Sequence, residues 1–267
     1  MKIGVSAITG KMGLTIAKIV HQHNIAELSS GLVRKGNNFC HQDLGIFLGY
    51  EKSGYNITSD INDFIQHCQA VIDFSSPELS LQLAKACSQH HKIFICGTTG
   101  FSESEKSQLV SYAQSTPIIW SANMSLGVNL LLNLVELTSK ILREDFDAEI
   151  LEMHHNKKID SPSGTALALG KAIAYGRDNT LEEVANMIRF DTNKPRKKGE
   201  IGFATLRGGD VVGDHTVIFA GEGERIELSH KASNRHIFAS GAVRAAIWAS
   251  NKKSGFFSMR DVLSLSK

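Results

Sequence analysis

Cysteine is scarce in this chain and scattered. Cys40, Cys68, Cys87 and Cys96 are the only four among 267 residues, with no CxxC pair, so neither a disulfide framework nor a zinc-ribbon spacing is present. Three of them, Cys68, Cys87 and Cys96, lie in apolar segments and read as small core hydrophobes. An excess of either charge is also missing. Lys and Arg total 29 against 27 Asp and Glu, a net +2, too mild a balance to argue for nucleic acid. The basic run 194–198 (KPRKK) is accordingly read as a solvated loop. No apolar run reaches the roughly 18 residues of a membrane span. The opening MKIGVSAITGKMG is broken by glycines and leads straight into a fold, unlike a signal peptide. These absences point to a protein of the reducing cytoplasm, with no membrane and no nucleic-acid partner.

Hydrophobic residues make up 42% and charged residues 21%, an ordinary globular composition for one large or two medium domains. The first half alternates strand and helix patterns. Strands are expected at 2–8, 26–33, 70–74, 92–96 and 117–120, and helices at 14–23, 61–67, 77–90 and 102–113. Pro77 sits where it can start a helix, and Ser102 with Glu105 forms a capping-box pattern. The stretch 34–55 reads as an irregular insertion. Strand and helix repeated at this spacing predict an α/β fold with a doubly wound parallel sheet, whose ligand lies past the carboxyl ends of its strands.

The first turn fits a nucleotide. Ala7-x-x-Gly10-x-x-Gly13 fills two of the three glycine positions that let a backbone approach a pyrophosphate, and Lys11 adds charge. Val33-Arg34-Lys35 follows the second strand without a carboxylate. That favours a 2′-phosphate, hence NADPH over NADH.

After a long helix over 124–143, the stretch EILEMHHNKKIDSPSGTALA at 149–168 brings chemistry together. Ile150 and Met153 around acidic residues read as a strand. His154 and His155 end it, Lys157, Lys158 and Asp160 follow, and Ser163-Gly164-Thr165 opens a helix. Unpaired N–H groups at a helix start bind anions, and imidazoles titrate near neutral pH. The cluster is therefore read as a pocket that binds a carboxylate and moves a proton. A helix is expected over 179–189, strands at 201–207, 215–220 and 225–230, a helix at 232–250, and a short one at 259–263. The strands would form an open, mixed sheet whose bare face is suited to oligomerisation. A metal site using His154, His155 and Asp160 is disfavoured, because neighbouring strand residues point to opposite faces. Two rivals are an NADP-linked reductase of another carboxylate, such as a semialdehyde, and a non-catalytic NADPH-binding protein.

The motifs TGKMG, DFSSPE, CGTTGF, SANMSLGVN, EMHHNKKIDSPSGTAL, GEIGFATLRGGDVVGDHTV and HKASNRHIFASGAVRAA resemble the dihydrodipicolinate reductase family nearly end to end. The resemblance implies a Rossmann-like nucleotide domain from 1–123 and 235–267. Between them, 124–234 would form a smaller mixed α/β domain for substrate binding and tetramerisation. It further implies reduction of 4-hydroxy-tetrahydrodipicolinate, a cyclic dicarboxylate, to tetrahydrodipicolinate with NADH or NADPH, by a homotetramer of the diaminopimelate and lysine route. His154 matches the family's proton donor and Lys158 its partner. His155, Ser163, Gly164, Thr165 and Arg235 match substrate contacts. Gly10, Lys11, Met12, Arg34, Gly97, Thr99 and Asn123 match cofactor contacts, and no metal is implied. Ala7 and Val33 depart from the family pattern, at the first glycine and at the acid common in NADH-using members.

Overall fold

The computed structural model describes residues 1–189 and 194–265. Residues 190–193 and 266–267, which fall inside the expected domain spans, lie outside the described residues. The chain divides into two compact units, Met1–Leu126 with Arg235–Lys267, and Gly127–Asn234.

In the first half the elements run β1 (Lys2–Val5), α1 (Lys11–His21), β2 (Glu27–Leu32), α2 (Leu44–Leu48), β3 (Ile57–Thr58) and α3 (Ile61–Gln66). They continue with β4 (Ala70–Asp73), α4 (Pro77–Gln89), β5 (Ile93–Cys96), α5 (Glu103–Tyr112), β6 (Pro117–Trp120) and α6 (Leu126–Leu142). The second half adds β7 (Asp147–His154), α7 (Gly164–Gly176), α8 (Leu181–Val184), β8 (Ala185–Asn186) and β9 (Ile201–Arg207). β10 (Gly213–Ala220), β11 (Arg225–Ala232), α9 (His236–Ala249), β12 (Gly255–Phe257) and α10 (Met259–Val262) complete it.

The first unit holds a parallel sheet in the order β12-β6-β5-β4-β1-β2-β3. The order reverses between β4 and β1, and such a switch point is where doubly wound sheets bind ligands. Strand alternation sends side chains to two cores. Ala70, Ile72 and Ile95 join Ile16, Val20, Ala242 and Ala246 of α1 and α9, while Val71, Phe94 and Cys96 join Phe64, Leu83 and Leu109 of α3–α5. Each fully buried isoleucine contributes roughly 1.5–3 kcal/mol relative to exposure. The capping box of Ser102 and Glu105 has both of its hydrogen bonds.

Two readings need correcting. The insertion at 34–55 is not wholly irregular: it contains α2, whose start is capped by Asp43 and whose end is closed by Gly49 at φ 85°. Asp43 accepts N–H bonds from Gly45, Ile46, Ser53 and Gly54, and although burial works against ionisation, these donors hold its carboxyl down at about 2. The helix expected over 179–189 ends at Val184, because Ala185 and Asn186 pair in parallel with Ile201 and Gly202. Tertiary pairing overrides local propensity there.

The second unit holds a mixed sheet, β11-β10-β7-β9-β8. Ala166, Leu169 and Ile173 of α7 pack with Ile150, Ile201, Val217 and Phe219 over one face. On the other face Leu151 and Leu206 are exposed, and Thr216 and Ser229 share a cross-strand hydrogen bond of 2.8 Å. Among the described residues no helix is long and apolar enough to cross a membrane.

Candidate functional site

In the first unit the turn after β1 is tight. Ala7 takes φ 44°, a left-handed conformation that disfavours a Cβ by about 1–2 kcal/mol, and its carbonyl accepts the N–H of Gly10 at 2.8 Å. A Cβ on Gly13 would stand 2.3 Å from that carbonyl oxygen, so only glycine closes helix onto strand. Side chains cap α2, α3, α4 and α5, whereas α1 begins at Gly10 with no side-chain cap. Its first N–H groups are left for a ligand, at the positive end of the helix dipole.

Beside that turn lies a cavity of about 430 Å³, whose walls include Ala7, Thr9, Gly10, Val33, Arg34 and Lys35. A second cavity, about 240 Å³, is lined by Met12, Phe74, Gly97, Asn123, Met124 and Arg235 among others. Arg235, matched above to substrate, thus stands at the head of α9 among cofactor-matched residues of its own unit. Lys11, the first residue of α1, and Thr99, on the loop after β5, are exposed. Below them Asp73, fully buried at the end of β4, accepts hydroxyl hydrogens from Ser6, Ser80 and Thr98. A glycine turn and an uncapped helix start fit a dinucleotide.

In the second unit β7 is the centre. Ala148, Ile150, Glu152 and His154 face inward, at period two, and Met153 faces the other way. The parallel register sets His154 opposite Arg207 on β9, and the antiparallel one sets Glu152 opposite His215 on β10. His154 Nδ1 lies 2.5 Å from Glu152 Oε2. Arg207 grips the same carboxylate with both terminal nitrogens, each at 3.0 Å, and the Ser163 N–H donates to Oε1 at 3.0 Å. Ser163 caps α7 by accepting the Ala166 N–H, and its Oγ lies 3.0 Å from His215 Nε2. The rings of His154 and His215 meet edge to face at 5.1 Å. Glu152, His154, Ser163 and His215 are all buried.

Around this core, Lys158 pairs with Asp160 at 2.8 Å, while the Asp160 carbonyl accepts from Arg207. Gly164 opens α7, with Thr165 next. The His155 N–H bonds to the Val211 carbonyl at 2.8 Å, and its ring Nδ1 is buried with no partner among the described residues. The structure thus gathers His154, Lys158, Ser163, Gly164 and Thr165 on one strand end and one helix start. Glu152, His154 and His215 offer three potential metal-binding atoms within 4.8 Å of one another. Both Glu152 oxygens already face a guanidinium, however, so the trio reads as a hydrogen-bond network and not as a cation cage.

Electrostatics follow from the burial. Burial pulls the Glu152 carboxyl upward, but Arg207, His154 and the Ser163 N–H outweigh it and hold it below the ordinary range. Burial lowers His154, partly offset by Glu152. His215 is driven down to about 4 by burial and by His154. A histidine depressed in the fold and near 6.5 when unfolded takes up its proton more readily in the unfolded chain. Its neutral form contributes nothing new above 6.5, and stability is lost as pH falls from there to about 4. That interval should remove about 3 kcal/mol, and His215→Gln should flatten it in denaturant unfolding measured across pH. An equal acid slope in the variant would contradict this.

Arg207 and His215 escaped the sequence reading, since only sheet register brings them to β7. Glu152 left a signal: a carboxylate two residues before His154 and two after Ile150 occupies an inward position. Comparison with known proteins bears on the family. The family model "Dihydrodipicolinate reductase, N-terminus" matches residues 1–124 and "Dihydrodipicolinate reductase, C-terminus" matches 127–263. The 4-hydroxy-tetrahydrodipicolinate reductase of Bartonella bacilliformis is 48% identical over 99% of both chains. That of Roseobacter denitrificans is 43% identical over 99% of this chain and 97% of its own. A dipicolinate-bound dihydrodipicolinate reductase from Paenisporosarcina sp. TG-14 shares the fold, with a TM-score of 0.78, 22% identity and 97% of each chain covered. Both halves match consecutive family models and full-length relatives above 40% identity, so the chain belongs to the dihydrodipicolinate reductase family.

Proposed function

We propose that this chain reduces 4-hydroxy-tetrahydrodipicolinate to tetrahydrodipicolinate in the diaminopimelate and lysine route, with NADPH preferred and NADH as the alternative donor. The observation that carries the reading is the cluster on β7 and α7: an inward imidazole on a carboxylate, beside Lys158 and an N-terminal helix turn. When bound, the nicotinamide supplies the hydride. The chain's own work is to hold an acidic ring and to manage one proton. Lys158, His155, Arg235 and the Ser163–Thr165 turn hold the carboxylates, by charge-assisted bonds and by the positive start of α7. After hydride reaches a C=N or C=C carbon, the neighbouring atom carries an electron pair. His154 supplies its proton as a general acid. Gly10, Lys11 and Met12 at the head of α1, with Gly97, Thr99 and Asn123, hold the cofactor.

The reading is tested by following NADPH absorbance while an upstream synthase makes the substrate from pyruvate and aspartate semialdehyde. Steady oxidation is expected. NADPH binding without consumption would return the protein to the non-catalytic class. Cofactor preference rests on Arg34 and Lys35 in the larger cavity. A lost charge-assisted bond is worth roughly 1.5–3 kcal/mol, so Arg34→Ala should cut the NADPH-to-NADH ratio of kcat/KM about tenfold or more. An unchanged ratio would count against the assignment. The exposed Leu151 and Leu206 on the open sheet face support a homotetramer.

A further inference from the structure

Proton delivery by an imidazole needs one nitrogen tied down and the other free. In this fold both conditions come from the sheet. Arg207 binds both oxygens of Glu152 at 3.0 Å, and the Ser163 N–H donates to one of them. A carboxylate so engaged is ionised, and an ionised carboxylate only accepts. The contact of 2.5 Å between Glu152 Oε2 and His154 Nδ1 therefore requires a hydrogen on Nδ1. At the opposite edge of the ring stands Gly213. A Cβ there would lie 2.9 Å from His154 Nε2, so glycine is the residue that leaves this nitrogen uncovered.

We infer that Glu152, clamped by Arg207, is the positioning residue for proton transfer: it holds Nδ1–H of His154 and makes Nε2 the nitrogen that delivers the proton. This rests on the reductase reading above. In the step, the imidazolium Nε2–H bond breaks and its electron pair stays on nitrogen. The proton passes to the atom left electron-rich by hydride addition, the nicotinamide having been oxidised. Nδ1–H stays on Glu152 throughout, and Nε2 regains a proton from solvent. The charged and titratable groups around the ring are Glu152 on β7, Arg207 on β9, His215 on β10, and Lys158 and Asp160 on the following loop. His230 on β11 lies across from His215. Among the described residues, Glu152 is the group hydrogen-bonded to the ring.

Glu152→Gln is the test. An amide can donate to Nδ1 and so favour the wrong tautomer, as in the serine-protease triad, where the equivalent change costs about 10⁴ in kcat. Here kcat should fall about 100-fold or more with KM changed less than about threefold. The pH at which kcat declines should move toward acid by roughly one unit, since a neighbouring negative charge favours imidazolium. A merely structural role would lower the yield of folded enzyme and leave that pH unmoved. Should Glu152→Gln not fold for want of a partner to Arg207, the pair Glu152→Gln with Arg207→Gln removes both charges, and a smaller displacement in the same direction is expected, because losing the guanidinium favours imidazolium. Nitrogen NMR of the wild-type enzyme without substrate needs no variant, and neutral His154 should carry its proton on Nδ1. A proton on Nε2, or near-wild-type kcat with an unmoved pH limb, overturns the inference. Absence of NADPH oxidation by the wild type would instead overturn the reductase reading, leaving the NMR result to stand alone.

Discussion

His154→Ala should retain the fold and lose roughly 10²–10⁴ in kcat, the range that a positioned general acid contributes. The loss should appear in kcat and in kcat/KM together, because the proton is needed in the transition state and not for holding the ring. Under the proposed function, carboxylate binding falls to other groups: Lys158, which here pairs with Asp160, and the turn that Ser163 caps at the head of α7. Removing the imidazole also strips Glu152 of one partner, but Arg207 and the Ser163 N–H remain, so the carboxylate stays satisfied. Circular dichroism and thermal unfolding check the fold, and steady-state NADPH oxidation checks the rate. Retention of more than about half of the wild-type turnover would remove His154 from the mechanism.

Arg207→Ala should be among the most destabilising single changes in the second unit. Glu152 is almost completely buried, and Arg207 donates a hydrogen bond to each of its oxygens. Removing one partner of a buried pair strands the other charge and costs about 3–5 kcal/mol. In a unit of this size that lowers the thermal midpoint by about 10 °C or more. Arg207 also donates to the carbonyls of Leu206 and Asp160, so its loss loosens the loop that carries Lys158. Adding Glu152→Gln should recover part of the lost stability, because no buried charge is then left alone. Denaturant unfolding of the single and double variants measures this. A single-variant loss below about 1 kcal/mol, the level of a surface pair, would show that the clamp carries little.

The two units differ in how far their chemistry can be read from the residues alone. Glycine turns, caps and period-two apolar strands are local, so the parallel sheet, the nucleotide turn and the capping box of Ser102 follow from neighbours in the chain. Short pieces are not local. β3, β8 and β12 have two or three residues each and exist because a neighbouring strand offers them hydrogen bonds. α2 was hidden by Gly45, a poor helix former that is required here because a Cβ would meet the Glu51 carbonyl oxygen. At the chemical site His154, Lys158 and the Ser163–Thr165 turn share one stretch and were visible together. Arg207 and His215 reach the same carboxylate and serine only through the register of β7 with β9 and β10, which no local pattern encodes. Ile150 and Met153 lie on opposite faces of the strand, so the apolar residues alone do not show that Glu152 faces inward.

The most direct measurement is a crystal structure of this protein with NADP⁺ and dipicolinate, a planar ring dicarboxylate that cannot be reduced in the same step. One carboxylate should sit on the N–H groups of Gly164 and Thr165 with Lys158 beside it. His154 Nε2 should be within hydrogen-bond reach of the ring edge, with Nδ1 still on Glu152. A ring bound elsewhere, or one held on the α7 turn with the imidazole of His154 out of reach of every ring atom, would contradict the account.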